Sequence, residues 1–329
     1  ARELQENLDN GEQSILLLNR RGYRTIGMCT TCGHVLKCPN CSVPLVYHKP
    51  QQALLCHHCG HTVHPLPQTC PECGGKISYS GFGTQRVEEE LAELLPGARI
   101  LRMDQDSTSR KDAHETMLAQ FARHEYDILL GTQMVAKGLD FENVTLVGVL
   151  CADVSLYIDN YRAPERTFSL LSQVVGRAGR GSKQGRAIIQ TFTPENEVIR
   201  AAAAQDYDAF YESEIRMRRL RRYPPFADLF SFTVTGADES RVIRAAKALR
   251  DALGYAVERR EELKPLSIEV LGPAGASVVK VNNRYRYRVF LVGKGCPALR
   301  RLVAEYLYAF YQHKENRGLD IFADCNALQ

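Results

Sequence analysis

The stretch DILLGTQMVAKGLDFENVTLVGVL (127–150) contains two short apolar runs, ILL and VTLVGVL, joined by a mixed segment with two glycines. Short apolar runs without alternating polar residues are typical of strands that are buried on both faces of a parallel sheet. Further strand patterns occur at 14–23, 98–104 and 185–192. We therefore expect these segments to form one parallel sheet.

Helical patterns separate the strand patterns. They cover residues 81–97, 112–124 and 165–179, and the first residues also have a helical pattern, with Leu4 and Leu8 on one face. Strands that alternate with helices of about 10–15 residues indicate βαβ units. Right-handed crossovers would place helices on both faces of the sheet, so this part of the chain is predicted to be α/β.

The overall composition is that of a soluble globular protein. The chain has 329 residues, with 44% hydrophobic and 24% charged residues and a net charge of +4. This length has room for two or three domains of roughly 100–200 residues each. No run of about 18 apolar residues and no signal peptide occurs, so we expect no membrane contact. Because the chain starts with Ala, already within a helical pattern, we expect it to be cut from a longer protein.

Eight of the eleven cysteines lie between residues 29 and 73, all in CxxC pairs. Disulfides would require a secretory context, for which the sequence has no signal. A CxxC turn points two sulfurs at one spot, and two such turns form a closed four-cysteine zinc site. The four pairs therefore predict two structural zinc ions.

The four pairs can be combined in three ways, and the spacing favours a nested pairing. Fourteen residues separate Cys41 from Cys56, close to the spacing of about 15–20 in zinc ribbons. Only five residues separate Cys32 from Cys38, which is tight for wrapping one ion. The nested pairing has an inner site of Cys38, Cys41, Cys56 and Cys59 and an outer site of Cys29, Cys32, Cys70 and Cys73.

The order of patterns along the chain predicts the domains. The cysteine block interrupts the α/β pattern after its first strand, so it is an insertion. A boundary belongs at Pro224 and Pro225, because the residue before a proline disfavours helical geometry. The order beyond it is strand, helix, strand, strand, helix, strand, a ferredoxin-like βαββαβ α+β arrangement. The predicted segments are the start of the α/β lobe (1–28), the zinc module (29–76), the rest of the lobe (77–205), a connecting helix (206–223) and a C-terminal domain (224–329).

A second glycine-rich stretch, QVVGRAGRG (173–181), carries Arg177 and Arg180 three residues apart. Arginine keeps its charge and binds phosphate oxygens through two N–H groups. In a motor with two α/β lobes, such arginines on one lobe meet the γ-phosphate of a nucleotide held by the other. The alternative is a helix C-terminus with two exposed arginines. The segment GTQMVAKGLDF (131–141) at this distance upstream favours the motor.

These motifs together resemble the C-terminal portion of the PriA family, the bacterial primosomal replication-restart DNA helicases of superfamily 2. The resemblance implies that the α/β part is the second RecA-like lobe of a helicase, and that the protein is cytoplasmic and associated with the nucleoid. Eight cysteines inserted into this lobe are the most specific feature. The matching segments are LLLNRRGY (16–23), the four CxxC pairs, GFGTQRVEEEL (81–91), ILLGTQMVAKGLDFENVTLVGVL (128–150), YRAPERTFSLLSQVVGRAGRG (161–181) and YPPF (223–226).

The resemblance also implies which residues approach ATP. Gln173, Arg177 and Arg180 would face the nucleotide, with Arg180 as the arginine finger. Gly138 and Asp140 would approach it and couple it to DNA. The sequence contains no GxxxxGK[ST], and we identify no DExx Walker-B motif in it; the family carries both in its first lobe, which would hold ATP and Mg²⁺. We therefore expect the chain alone to hydrolyse essentially no ATP.

Two regions are predicted to contact DNA. The resemblance implies contacts from Thr84, Thr132 and Gln133, and Thr84 would open a helix whose amino end favours a phosphate. Simple helix capping is the alternative role of the two threonines. In RYRYRVFLV (284–292) the arginines alternate with tyrosines, which suits phosphate contact and base stacking, unless the tyrosines pack under a helix. The arginines of this strand are Arg284, Arg286 and Arg288.

The patterns and the resemblance leave two functions open, and the polarity and fork preference of the first are what the resemblance implies. The first is an ATP-dependent 3′→5′ DNA helicase that recognises stalled or branched forks and restarts replication. The family implies as partners branched and single-stranded DNA, the acidic tail of single-stranded DNA-binding protein, primosome proteins and the loader of the replicative helicase. The second is a non-motor, zinc-dependent scaffold that binds branched DNA and recruits replication proteins. Arg177 and Arg180 discriminate between them, because a scaffold does not need them.

Overall fold

The structure is a computed structural model that describes residues 1–19, 27–32, 34–41, 43–48, 52–56, 59–79, 84–103, 113–132, 141–157, 160–178 and 185–326. Its strands are β1 Gln13–Leu18, β2 Met28–Cys29, β3 Val46–His48, β4 Ala53–Leu55, β5 Thr62–Val63, β6 Ile77–Ser78, β7 Ile100–Met103, β8 Ile128–Gly131, β9 Val144–Leu150, β10 Arg186–Ile189, β11 Asp228–Gly236, β12 Glu269–Val281, β13 Arg284–Gly293 and β14 Asp320–Cys325.

The helices are α1 Arg2–Asp9, α2 Thr84–Leu94, α3 Ala113–Ala122, α4 Ala163–Val175, α5 Glu197–Ala204, α6 Tyr207–Leu220, α7 Glu239–Arg259 and α8 Pro297–Gln312. Among the residues that the structure describes, no helix combines the length and the apolar character needed to cross a membrane. The chain divides into two compact units, one of residues 1–25 and 80–215 and one of residues 26–79 and 216–329.

A five-stranded parallel sheet forms the centre of the first unit, in the order β10-β9-β1-β8-β7. The middle strand, β1, is buried at every residue. Its neighbours β8 and β9 are buried over nearly their whole length. The predicted parallel sheet is confirmed, and its continuous apolar runs are explained by burial on both faces.

Each face of this sheet has its own apolar core. On one face Leu17 of β1 packs in the same core as Leu171 of α4. On the other face Leu16 packs with Leu4 of α1 and Leu91 of α2. Burying each of these leucine side chains stabilises the fold by about 1.5–3 kcal/mol. The prediction of helices on both faces is therefore confirmed.

Helix α5 was not predicted from the sequence patterns. It begins after Asn196, whose Oδ1 accepts a hydrogen bond from the N–H of Val198 at 3.0 Å. It ends at Gln205, which has a φ of 55° and whose Nε2 donates to the carbonyl oxygen of Ser172 in α4 at 3.5 Å. Helix α5 thus supports the end of α4, just before Arg177.

The cysteine-rich part of the second unit is built from short strands around buried sulfurs. Strands β2 and β6 pair with each other, and β3, β4 and β5 form a separate three-stranded sheet. The apolar core holds few large side chains, including Leu36, Leu45 and Leu54, and they pack with the cysteines. So small a core needs additional stabilisation, which metal sites supply.

The C-terminal part of the second unit is a four-stranded antiparallel sheet in the order β12-β13-β11-β14. Helices α7 and α8 both pack on one face, where Phe232, Leu253, Leu291 and Leu302 meet in one core. Along the chain the order is β11-α7-β12-β13-α8-β14. The predicted βαββαβ arrangement is therefore confirmed.

Candidate functional site

All four CxxC turns have the same backbone hydrogen bond. The N–H of the first cysteine donates to the carbonyl oxygen five residues later, at 2.8 Å from Cys29 to His34, 2.9 Å from Cys38 to Val43, 2.8 Å from Cys56 to His61 and 2.7 Å from Cys70 to Gly75. In two turns the residue after the second cysteine is a glycine with positive φ, 74° at Gly60 and 71° at Gly74. A side chain there would strain the backbone. The repeated loop turns both sulfurs of a pair toward one point.

The eight sulfurs lie in two groups of four, and in each group the Sγ atoms are within 4.8 Å of one another. These are the groups of the nested pairing. The outer cluster contains Cys29, Cys32, Cys70 and Cys73. The inner cluster contains Cys38, Cys41, Cys56 and Cys59.

The spacing of the sulfurs fits tetrahedral zinc. Bonds of about 2.3 Å to a central zinc ion place the sulfurs about 3.8 Å apart. The Sγ atoms of Cys29 and Cys73 are 3.5 Å apart in the outer cluster, and those of Cys38 and Cys59 are 3.6 Å apart in the inner cluster. Four sulfurs fill the coordination sphere of each ion, so the two four-cysteine sites are closed and structural.

The two clusters differ in exposure. In the inner cluster three cysteines are buried and Cys59 is half-buried. In the outer cluster Cys32 and Cys73 are exposed. Solvent and chelators therefore reach the outer site more easily than the inner one.

The turn that carries Arg177 lies at the amino edge of the parallel sheet. Thr167, in the first half of α4, donates to Oγ of Ser155 at 2.7 Å, and Ser155 lies beyond the carboxyl end of β9. Since α4 is about 20 Å long at 1.5 Å per residue, it reaches from the carboxyl edge to the amino edge. Gln173, in its last turn, is exposed. Arg177 is half-buried, and its backbone N–H donates to the carbonyl oxygen of Val174 at 3.0 Å.

Thr84 and Thr132 lie at the opposite, carboxyl edge of the same sheet. Thr132 directly follows β8 and is half-buried. Thr84 is the first residue of α2 and is 7% exposed. Helix α2 leads through a short turn to the amino end of β7, so its own amino end lies at the carboxyl edge. Thr84 and Thr132, which are predicted to contact DNA, thus lie at a different edge of this sheet from Gln173 and Arg177, which are predicted to contact ATP.

Four of the predicted residues lie outside the described ranges, so their roles stay predictions. They are Gln133, Gly138, Asp140 and Arg180. The described residues on either side of the first three are Thr132, at the carboxyl end of β8, and Phe141, close to the amino end of β9.

The tyrosines of β13 face the helices of the C-terminal domain. Tyr285 and Tyr287 pack against the core beneath α7 and α8. The Oη of Tyr287 donates to Oε1 of Glu239 at 2.9 Å, and this hydrogen bond, with burial, raises the pKa of the tyrosine. This is the alternative that the alternating pattern left open, and it takes both rings away from base stacking.

The three arginines of β13 point to the other face of the sheet and differ in how accessible their side chains are to DNA. Arg284 pairs with Asp320, and its Nη2 donates to Oγ1 of Thr235 at 3.1 Å. Arg286 is half-buried, whereas Arg288 is only 7% exposed. Burial leaves Arg288 little surface for a phosphate contact.

Three family models match consecutive parts of the chain. They describe the PriA DNA helicase Cys-rich region domain (residues 38–63), the helicase conserved C-terminal domain (69–182) and the primosomal protein N C-terminal domain (219–326). The replication restart protein PriA of Bacillus subtilis is 43% identical over 98% of this chain, and that of Synechocystis sp. is 42% identical over 85%. The chain belongs to the PriA family. It spans 39% of the length of the Bacillus relative and 33% of the Synechocystis relative.

A solved structure, the Hef helicase domain of Pyrococcus furiosus, aligns with a TM-score of 0.29 and 16% identity over 62% of this chain and 27% of that chain. This similarity is too low to inform the fold. The family models instead match parts described above, because they cover three of the four cysteine turns, helix α4 and the antiparallel sheet.

One buried carboxylate in this PriA-family chain was not predicted from the sequence. Asp153 accepts hydrogen bonds from Oγ1 of Thr191 at 2.7 Å, from Oγ1 of Thr193 at 2.6 Å and from the N–H of Phe192 at 2.9 Å. Burial raises the pKa of Asp153, but these hydrogen bonds outweigh it and lower the pKa to about 2. Asp153 ties the segment after β10 to the carboxyl end of β9. No local pattern reveals this, because the partners are 38–40 residues away.

Proposed function

We propose that the chain is the C-terminal part of an ATP-dependent 3′→5′ DNA helicase that recognises stalled or branched replication forks and restarts replication by assembling the primosome. The observation that carries this proposal is that, in a PriA-family chain, two pairs of predicted site residues lie at opposite edges of one parallel sheet. Gln173 and Arg177 lie at the amino edge, and Thr84 and Thr132 lie at the carboxyl edge. A lobe of this design couples a change at bound ATP to a step along DNA.

In the proposed reaction, Arg177 and Arg180 contact ATP held by another part of the protein. When the cleft closes, their guanidinium groups reach the γ-phosphate oxygens and stabilise the charge that develops as the terminal phosphoryl group is transferred to water. Gln173, Gly138 and Asp140 approach the same nucleotide. Bound Mg²⁺ supplies further neutralisation of phosphate charge. The hydrogen bond from the backbone N–H of Arg177 to the carbonyl oxygen of Val174 supports this role, because it fixes the start of the turn that carries Arg177.

The proposed DNA path follows the carboxyl edge. Thr84 at the amino end of α2 and Thr132 after β8 contact backbone phosphates, and Gln133 continues the same line. In the C-terminal domain the face of β13 that carries Arg284, Arg286 and Arg288 binds the branched or single-stranded part of the fork. Arg286 is more exposed than Arg288, which supports a larger contribution of Arg286 to DNA binding.

The proposed assembly role rests on family membership. The zinc module is structural and gives a rigid surface for primosome proteins and the loader of the replicative helicase. The acidic tail of single-stranded DNA-binding protein is a further proposed partner. The protein would act in the cytoplasm at the nucleoid, where these partners and forks occur.

The arginine pair is tested by Arg180→Ala in the full-length protein. We expect DNA-stimulated ATP hydrolysis to fall about 10³-fold or more, the effect of losing an arginine finger, while binding to a labelled fork stays nearly unchanged. Arg200→Ala is the matched control, because Arg200 belongs to the same lobe and its side chain is 70% exposed. Normal turnover in a folded Arg180→Ala protein would refute the motor role and support the scaffold.

A further inference from the structure

The turn between β12 and β13 lies against the inner cysteine cluster, and we call its residues 280–283 the hairpin turn. The backbone N–H of Asn282 donates to Sγ of Cys41 at 3.2 Å. The N–H of Asn283 donates to the carbonyl oxygen of Asn40 at 2.8 Å. A metal-ligand sulfur is therefore hydrogen-bonded by a residue that is 241 positions away in sequence.

Two further contacts fix the hairpin turn to the cysteine-rich module. The Nζ of Lys280 donates to the carbonyl oxygen of Pro39 at 2.9 Å. The side chain of Val281 packs with the apolar core that surrounds the cysteines. Four consecutive residues of the hairpin turn thus each contact the module.

The backbone of the hairpin turn explains why its amides are available. Asn282 and Asn283 have φ values of 49° and 59°. Two consecutive left-handed residues form a type I′ turn, in which Asn is favoured. The strand ladder pairs Val281 with Arg284, so it leaves the amides of the two asparagines to donate elsewhere.

A donor to a zinc-bound sulfur stabilises its charge. Four thiolates around one Zn²⁺ carry two net negative charges, so N–H donors and the nearby ammonium group of Lys280 favour the loaded site. Hydrogen-bond partners of metal ligands change metal affinity by about 10–100-fold. In the outer cluster the amide donors are local, from Thr31 to Cys29 at 3.4 Å and from Glu72 to Cys70 at 3.4 Å.

We propose that the hairpin turn completes the inner zinc site. The C-terminal domain then slows the loss of zinc from Cys38, Cys41, Cys56 and Cys59, and bound zinc in turn holds the hairpin turn in place, since such coupling is reciprocal. The outer site is independent of this domain. Two ions with identical ligand sets are thereby given different rates of exchange.

The test follows each cysteine separately in the zinc-loaded full-length protein. The protein is exposed to excess chelator and pulsed with iodoacetamide, and alkylation is read by peptide mass spectrometry. Val281→Asp places a carboxylate against an apolar core beside a negatively charged cluster. We expect the inner cysteines to be alkylated roughly tenfold faster, with the outer cysteines unchanged.

Two variants serve as controls. Val278→Asp makes the same change three residues earlier in β12, at another half-buried valine, and should match the parent at both clusters. Asn282→Gly keeps the amide and tolerates positive φ, so it should also match the parent. Equal alkylation rates in Val281→Asp and the parent, or equal acceleration at both clusters, would overturn the proposal.

Lys280→Met is a second test of the proposal in case Val281→Asp does not fold. Methionine retains an apolar stem of similar length and removes the ammonium group that donates to Pro39. Inner-cluster alkylation should again be faster than in the parent, with the outer cluster unchanged. An unchanged inner rate in folded Lys280→Met would count against the hairpin turn as part of the site.

Discussion

Among single residues, Asp153 shows how one buried charge joins two segments of the sheet. It is 5% exposed and lies in the short 3-10 helix that follows β9. Its carboxylate accepts hydrogen bonds from both Thr191 and Thr193, which follow β10. These bonds favour the charged form over the neutral one, so the folded state holds Asp153 ionised at any pH well above 2.

Asp153 therefore predicts a pH-dependent stability. Its pKa is about 2 in the folded protein, well below the usual aspartate value of about 3.9. A lowered pKa stabilises the fold by about 2 kcal/mol above pH ~4, and this contribution is lost as pH falls from about 4 to 2. Asp153→Asn should lower the free energy of unfolding by that amount at pH 7 and by much less near pH 2.

Urea unfolding of the parent and Asp153→Asn across this pH range measures the effect. Asp208→Asn is the control, because Asp208 is an exposed aspartate in the same unit. A difference between Asp153→Asn and the parent that is the same at pH 7 and pH 2 would contradict the assignment of the lowered pKa to stability.

The alternation in RYRYR predicts two faces for β13 but not which face is covered. Tyr287 reaches Glu239 in α7, a residue 48 positions earlier in the chain. Arg288 lies on the other face and is buried all the same. The covering of the tyrosine face and the burial of Arg288 both depend on elements far away in sequence. A two-residue period alone therefore could not predict either of them.

Among structural elements, the CxxC turn is the most regular in the cysteine-rich module. Each turn closes with the same N–H to carbonyl bond five residues on. Because each turn already orients its two sulfurs, a site is formed by bringing two finished turns together. We therefore expect that the inner and outer clusters can be removed one at a time.

Cys56→Ser and Cys70→Ser test this independence. Each variant should lose one of the two zinc ions, as measured by metal analysis of the purified protein, because a four-cysteine site lacking one thiolate binds zinc weakly. Cys56→Ser should leave Cys29, Cys32, Cys70 and Cys73 protected from alkylation. Cys70→Ser should leave the inner cysteines protected. Exposure of Cys29 and Cys32 in Cys56→Ser would show that the nested pairing is wrong.

The sequence predicted these elements to different degrees. The strands of the sheet followed from apolar runs, and the cysteine grouping followed from spacing, since both signals are local or periodic. Helix α5 was not predicted because EVIRAAAA has few large apolar residues, although Asn196 in front of it is a typical helix cap. The contact of Asn282 with Cys41 has no local signal at all, because it joins residues 241 positions apart.

At the scale of the whole molecule, the chain is proposed to supply half of an ATP site and a DNA surface of its own. Its sequence has no GxxxxGK[ST] segment and carries a net charge of +4. We therefore expect the 329-residue chain to hydrolyse essentially no ATP and yet to bind forked DNA. The affinity should fall steeply with salt, because phosphate contacts release counterions.

Coupled ATPase assays and fluorescence anisotropy between 50 and 200 mM salt, a range over which phosphate contacts change affinity by about 10³-fold or more, measure both properties. The full-length protein is the positive control for ATP hydrolysis. DNA-stimulated ATP turnover by the chain alone would contradict the proposed division of the ATP site.

The bond between Asn282 and Cys41 also has a consequence for how the protein is made. Ribosomes synthesise chains from the amino end at about 5–20 residues per second, so the 241 residues between the two positions take on the order of ten to fifty seconds. Both sets of cysteines emerge before the C-terminal domain exists. If the hairpin turn completes the inner site, as we propose, the outer site is complete at that moment, whereas the inner ion can still exchange with the zinc pool of the cell. We therefore expect the nascent protein to hold the outer zinc ion firmly before the inner one.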